Sequence, residues 1–255
     1  MFNPLTKTRS DVPRRLVIGD VHGHYDGLMG LLQDVRATPA DRLYFLGDLI
    51  DRGPKSASVV KFVRENKYPC LLGNHEVMML RAVNGGEPDN DALQIWVNAG
   101  GLETIQSYGS EGILQSDIDW MGGLPRYLDL DDAWLVHAGV DPYKEIGEQD
   151  EREFCWIRER FFSAGFPYFR DKVIITGHTL TFTLPGVPAG EIAEGPGWIN
   201  IETGAYHKKS GWMTALDLDN QYVYQFNVFT NKRRQQPLEK SIHRIDPLQV
   251  KDRKL

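Results

Sequence analysis

Cysteine is scarce in this chain, long apolar runs are missing and the overall charge is not basic. Each absence removes a class of protein. Two cysteines in 255 residues, Cys70 inside an apolar run and Cys155 beside Trp156, do not make a disulfide scaffold. They suit a reducing compartment in which both thiols pack as small hydrophobes. No stretch approaches the roughly 20 apolar residues of a membrane span, and Met1 to Arg15 has no apolar signal core. The expectation is a cytoplasmic protein with no membrane partner. A net charge of -6 opposes binding to a nucleic-acid backbone. A monomer is expected.

The charge is uneven along the chain. From Thr230 to Leu255 there are eight Lys or Arg against three acids, with few apolar residues. Residues 230–255 therefore read as a solvated or loosely docked basic tail behind one domain, 1–229, with a helical insertion near 84–122. The length is enough for a sizeable core without staples.

Short β-branched or apolar runs occur at Leu16-Val17-Ile18, Leu43-Tyr44-Phe45-Leu46 and Tyr68 to Leu72. Each stops at a polar motif: Gly19-Asp20-Val21-His22-Gly23, then Gly47-Asp48-Leu49-Ile50-Asp51-Arg52-Gly53, then Gly73-Asn74-His75-Glu76. A helix should follow each. Leu28, Leu31, Leu32 and Val35 recur at helical spacing, Pro54 suits a first turn ahead of Val59, Val60 and Val63, and Val77 to Val83 continues the third unit. Three strand-loop-helix units in a row imply parallel strands with right-handed crossovers and a common rim at their carboxyl ends, where such sheets bind ligands.

Further on, Arg126 to Leu130 and Ala133 to Val136 read as a hairpin whose second strand ends at His137, and Val173 to Thr176 ends at Gly177-His178. Residues 142–171, with Trp156-Ile157-Arg158-Glu159-Arg160, are placed over the site. Trp198 to Ile201, Trp212 to Leu218 and Tyr222 to Val228 are assigned to a second, more antiparallel sheet.

The polar residues directly after strands are Asp20, His22, Asp48, Asn74, His137 and His178. Individually, an Asp there often caps a helix and a His is often a hydrogen-bonded core residue. Six together point to two divalent ions bridged by one carboxylate, which would lower the pKa of a shared water. Imidazole, carboxylate and amide donors suit Mn first, with Fe or Zn as alternatives.

This ordered motif set resembles that of the phosphoprotein phosphatase family of metallophosphatases, closest to its bacterial and phage-type serine/threonine phosphatases, over roughly residues 16–216. The resemblance implies an α/β fold of the calcineurin-like type, a sandwich of two mixed β-sheets flanked by helices. It also implies that Asp20, His22 and Asp48 bind one metal and Asp48, Asn74, His137 and His178 the second. His75 would be the general acid, oriented by Asp51. Arg52 and Arg158 would clamp the phosphoryl group, completing a substrate-binding set with Asn74 and His75, although Arg160 lies close to Arg158. Glu202-Thr203-Gly204 departs from the family's Asp-Thr-Gly, and His24 and His207 match no ligand position.

The implied reaction is hydrolysis of phosphoserine or phosphothreonine in proteins, or of a small phosphoester, by direct attack of hydroxide held by the two metals. An alternative with the same chemistry is a dinucleoside polyphosphate hydrolase. Those enzymes commonly carry Ala where this chain has Asp51 and Asp where it has Glu76, which favours the protein phosphatase. A non-catalytic scaffold on the same fold should have lost ligands or the acid, and all seven positions are filled.

Overall fold

The structure, a computed structural model, describes residues 13–83 and 90–250. In chain order its first elements are β1 (Arg15–Ile18), α1 (Tyr25–Val35), β2 (Arg42–Phe45), α2 (Ser56–Glu65) and α3 (Asn74–Val83). An insertion of α4 (Asn90–Trp96), α5 (Leu102–Tyr108) and α6 (Gln115–Gly122) follows. The hairpin strands β3 (Tyr127–Asp129) and β4 (Ala133–Val136) lead to α7 (Glu151–Trp156), α8 (Glu159–Phe162) and β5 (Val173–Thr176). The chain then continues through β6 (Ile192–Gly195), β7 (Trp198–Asn200), β8 (Trp212–Asp217), β9 (Tyr222–Asn227), β10 (Arg233–Pro237) and β11 (Ile242–Arg244).

Two mixed sheets result, in the orders β10-β9-β8-β1-β2 and β11-β6-β7-β5-β4-β3. Strand alternation explains how they stack. Val17, Tyr44 and Leu46 point from the first sheet into a shared interior and meet Ala133, Leu135, Ile175 and Ile199 of the second. The alternate residues face outward to helices: Leu16, Ile18, Leu43 and Phe45 pack on Leu28, Leu31, Val59, Val60 and Val63 of α1 and α2. On the far side Trp134, Val136 and Ile174 pack on Phe154, Phe161 and Phe162 of α7 and α8. Strands buried on both faces have no polar alternation, which is why they read as plain apolar runs. The expected sandwich flanked by helices is therefore present.

Three placements differ from the sequence reading. Trp198–Asn200 lies in the other sheet from β8 and β9, parallel to β5 and antiparallel to β6, while β8 joins β1 directly with Val17 opposite Leu216. A local apolar pattern does not specify its partner, since pairing is a long-range choice. The run before Gly73 makes only a bridge from Cys70 to Phe45, with Leu71 N–H donating to Phe45 O at 2.9 Å. Thirdly, much of the stretch read as a loose tail is sheet edge: β10 pairs with β9 and β11 with β6. Three of its cations are engaged, with Arg233 on Asp34 at 2.9 Å, Arg234 on Glu191 at 2.5 Å and Arg244 on Glu194 at 2.7 Å. Residues 251–255 of that stretch, and 84–89 of the insertion, lie outside the described residues. Both cysteines are free and buried, and no described helix is long and apolar enough to cross a membrane.

Phe45 has no exposed surface and joins the strand bridge to the helical layer. Phe45→Ala should lower the unfolding free energy by about 3–5 kcal/mol, read as a lower urea midpoint at unchanged slope.

Candidate metal centre

The carboxyl ends of β1, β2, β4 and β5 lie at one rim, and the start of α3 closes it. Asp20 and His22 follow β1, Asp48 follows β2, His137 and His178 follow β4 and β5, and Asn74 opens α3. The loops brace one another: the N–H groups of Val21 and His22 both donate to Asp48 O, at 3.1 and 2.9 Å, and Gly23 N–H donates to Leu49 O at 2.8 Å. Tight turns aim the side chains inward, and His22 (φ 46°), Asp48 (48°), Asp51 (71°), Arg52 (68°) and His178 (63°) all occupy the left-handed region. For non-glycine residues that conformation is costly, and its concentration here marks a functional site. Gly73 is required by contact, since a Cβ there would strike the carboxylate of Asp48.

All six candidate ligands are buried. His137 donates Nδ1–H to Leu46 O at 2.8 Å, which leaves its Nε2 a bare acceptor. That Nε2 lies 3.0 Å from Asn74 Oδ1 and 3.5 Å from Asp48 Oδ1, both acceptors. His178 Nδ1 approaches the same Asn74 oxygen at 2.8 Å, and its Nε2 is buried without a partner. His22 donates Nδ1–H to Ile50 O at 2.9 Å, so its Nε2 is also an acceptor, 3.6 Å from Asp48 Oδ2 and 4.0 Å from Asp20 Oδ2. Lone pairs converging from two sides on the Asp48 carboxylate are what two cations would satisfy, and the residues fit them. His75 Nε2 is nearly as close to Asp48 Oδ2, at 3.9 Å, but its Nδ1 is tied to Asp51 at 2.6 Å.

The electrostatics agree. Burial, with Glu202 and Asp48 nearby, pushes the Asp20 carboxyl well up. Burial would push Asp48 up too, but the surrounding imidazoles of His137, His75, His22 and His178 carry it below the usual carboxylate range. Burial holds His22, His137 and His178 below the ordinary histidine value, with Arg52 beside His22 and Arg158 beside His178 acting in the same direction. Neutral imidazole is the form that binds a metal.

The candidate substrate groups line a cleft of about 400 Å³ above this cluster, formed by Asp48, Arg52, Asn74, His75, Arg158 and His178 with Thr179 and Tyr206. Arg52 lies 3.8 Å over the Tyr206 ring and donates Nη1–H to His22 Nε2 at 2.8 Å. Arg158 donates to Thr179 Oγ1 at 3.0 Å. Arg160 points elsewhere, to Asp141 at 2.9 Å with its side chain 60% exposed. His24 and His207 stay outside the cluster, beside Phe229 and Phe182 respectively.

Sequence reasoning gave no role to Tyr206, used Glu76 only as a marker of substrate class and noted Glu202 only as a departure from the family motif. Glu76 is fully buried and accepts from Asp48 N–H at 2.9 Å, Leu49 N–H at 2.8 Å and Gly73 N–H at 3.0 Å, so it clamps the turn that carries Asp48. A signal existed, because an acid three residues after the residue preceding a helix is half of a capping box. Glu202 accepts from Gly204 N–H at 3.0 Å. Burial, reinforced by Asp48, pushes Glu76 and Glu202 each up to about 8.

These shifts have opposite signs for stability. The depressed histidines stabilise the fold above their ordinary value of 6.5 and lose that contribution as pH falls. The raised carboxyls stabilise it when protonated and lose that contribution as pH rises towards about 8. At pH 6.5 the unfolded chain still holds about half a proton on each of His22, His137 and His178, and only from about pH 7.5 are these three neutral folded and unfolded, so that the carboxyl contribution alone remains. In chelator, the melting temperature should fall as pH rises from about 7.5 through about 8, and saturating Mn(II) should shrink that slope. A flat profile in chelator would refute the assignment.

The chain matches the calcineurin-like phosphoesterase family over residues 13–182. It is 46% identical over 166 residues to the symmetrical bis(5'-nucleosyl)-tetraphosphatase of Salmonella paratyphi B, covering 62% of this chain and 54% of the relative. The chain thus spans about half the length of the curated relatives it matches. A metallophosphoesterase from Sphaerobacter thermophilus superposes with a TM-score of 0.57 at 21% identity, covering 89% of this chain and 91% of that one. A protein serine/threonine phosphatase from Saccharomyces cerevisiae gives 0.53 at 17% identity, covering 82% and 74%, a likeness of fold alone. With the family matching well over half of its length and divalent-metal donors converging at the rim, the chain belongs to the calcineurin-like metallophosphoesterases.

Proposed function

We propose that this chain is a metal-dependent phosphoesterase that hydrolyses dinucleoside polyphosphates. The observation that carries the substrate class is the 46% identity to relatives named as symmetrical bis(5'-nucleosyl)-tetraphosphatases. The cleft agrees with it. Arg52 and Arg158 both line it, and among the described residues neither forms a salt bridge with a carboxylate, so two guanidinium groups are available to a run of phosphates.

In this reading Asp20, His22 and Asp48 hold one divalent ion, and Asp48, Asn74, His137 and His178 the second. Mn is the first choice, with Fe or Zn accepted by the same mixed donors. When bound, the ions supply Lewis acidity at the phosphoryl group and lower the pKa of water. Arg52 and Arg158 hold the phosphoryl oxygens through the in-line displacement. As the bond from phosphorus to the leaving oxygen breaks, His75 delivers a proton from Nε2 while Asp51 keeps its ring in place through Nδ1.

One observation favours a second reading, a serine/threonine protein phosphatase. A nucleoside diphosphate leaves without much help, whereas a serine alkoxide needs a proton, and the buried Asp51–His75 pair is suited to provide it. Glu76 no longer supports that reading. Its carboxylate is committed to three backbone N–H groups and so says nothing about the substrate.

With Mn(II), kcat/KM for diadenosine tetraphosphate should exceed that for a phosphoserine peptide by about tenfold or more, with ADP as the product of symmetrical cleavage. The reverse preference would transfer the assignment to phosphoproteins, and no turnover of either by metal-loaded protein would defeat both. Chelation should abolish activity and Mn(II) restore it. Arg158→Ala should lower kcat/KM by roughly 10²-fold, while Arg160→Ala should stay within about threefold.

A further inference from the structure

The helical insertion carries a feature that the metal centre alone does not explain. The Asp51 carboxylate has no exposed surface and is gripped by the insertion as well as by His75. Trp96, at the end of α4, donates Nε1–H between both carboxylate oxygens at 3.0 Å each. Thr104, in α5, contacts Oδ1 at 2.6 Å. A hydroxyl has one proton, and the shortest contact takes it, so Thr104 donates to the carboxylate. Its oxygen is then free to accept from Asp51 N–H at 2.8 Å and from the Ser56 hydroxyl at 3.0 Å. Trp96 is 1% exposed and Thr104 is fully buried.

The chain between these two residues touches the same loop. Gly100 breaks the helix at φ 112° and accepts from Arg52 N–H at 3.0 Å. A Cβ at Gly101 would press into the Trp96 ring. Side chain and backbone of Asp51 are therefore both held by a segment about 50 residues further along the chain. The left-handed φ of Asp51 (71°) makes that loop costly to hold without an outside partner.

We propose that Trp96 and Thr104 are positioning residues for the Asp51–His75 pair, so that the insertion acts in proton delivery to the leaving group. They fix the two oxygens of Asp51, Asp51 fixes the ring through Nδ1, and Nε2 is left facing the cleft that His75 lines. With either donor removed, the carboxylate can rotate about its terminal bond towards the one that remains, and Nε2 loses its aim. The proposal rests on His75 being the general acid, as in the function proposed above.

The test is the dependence of kcat on leaving-group pKa across a series of aryl phosphates with Mn(II), for the full chain and for Trp96→Phe, Thr104→Val, Thr104→Ser and His75→Asn. Thr104→Val and Trp96→Phe should lose about 10- to 30-fold on phenyl phosphate and less than about threefold on the best leaving group, part of the roughly 10²–10⁴-fold that general acid catalysis supplies. Their leaving-group slope should steepen towards that of His75→Asn, and Thr104→Ser should restore the parent slope. Melting temperature and Mn(II) affinity by calorimetry separate this from unfolding or metal loss. If His75→Asn steepens the slope and the two insertion variants do not, the insertion has no positioning role while the acid assignment stands. If His75→Asn itself leaves the slope unchanged, the acid assignment falls and the proposal with it.

Discussion

The carboxylate of Asp48 is the point on which the rest of this molecule turns. It is buried at the meeting of four imidazoles, three further acids (Asp20, Glu76 and Glu202) and an amide, with the backbone N–H of His75 donating to it at 3.0 Å. A buried charge is tolerated only with partners on every side, and a buried cluster of acids and lone pairs calls for cations. Much of the neighbouring backbone follows from that demand. Loops after β1 and β2 lock together through Asp48 O, and Glu76 reaches across to hold the N–H groups of Asp48 and Leu49. A glycine precedes Asn74 because nothing larger clears the Asp48 carboxylate.

Around this point the fold divides labour between layers. The sandwich supplies donor atoms from strand ends, which are rigid because both faces of each strand are packed. Loops above the rim supply the arginines, with Arg52 steadied on the Tyr206 ring and Arg158 on Thr179. The insertion reaches the same place from outside through Trp96 and Thr104. Cleft and candidate metal cluster thus draw on segments from β1 to the Tyr206 loop, and none of these segments forms the site alone.

Much of this was legible before any coordinates. Asp20, His22, Asp48, Asn74, His137 and His178 each stand directly after an apolar run or at a helix start, and strand ends at a common rim are a local consequence of the strand-loop-helix repeat. The proximity of Asp51 to His75 followed only from the family resemblance, and the structure does bring them together. Glu76 was misread because its partners, Asp48 and Leu49, lie 28 and 27 residues away. The basic stretch after Thr230 was misread because composition counts cations without their partners, and Asp34, Glu191 and Glu194 come from other parts of the chain.

The sequence by itself determined the strand-loop-helix rhythm, the candidate ligand types and their placement at strand ends, because apolar periodicity and turn chemistry act over a few residues. Tertiary structure alone decided which sheet took Trp198–Asn200, that Arg158 and not Arg160 lines the cleft, that Glu76 braces a turn, and that the insertion grips Asp51. Each of those outcomes depends on which distant groups meet when the core closes. Hydrogen bonds and ion pairs between segments tens of residues apart leave no periodic trace in the chain that makes them.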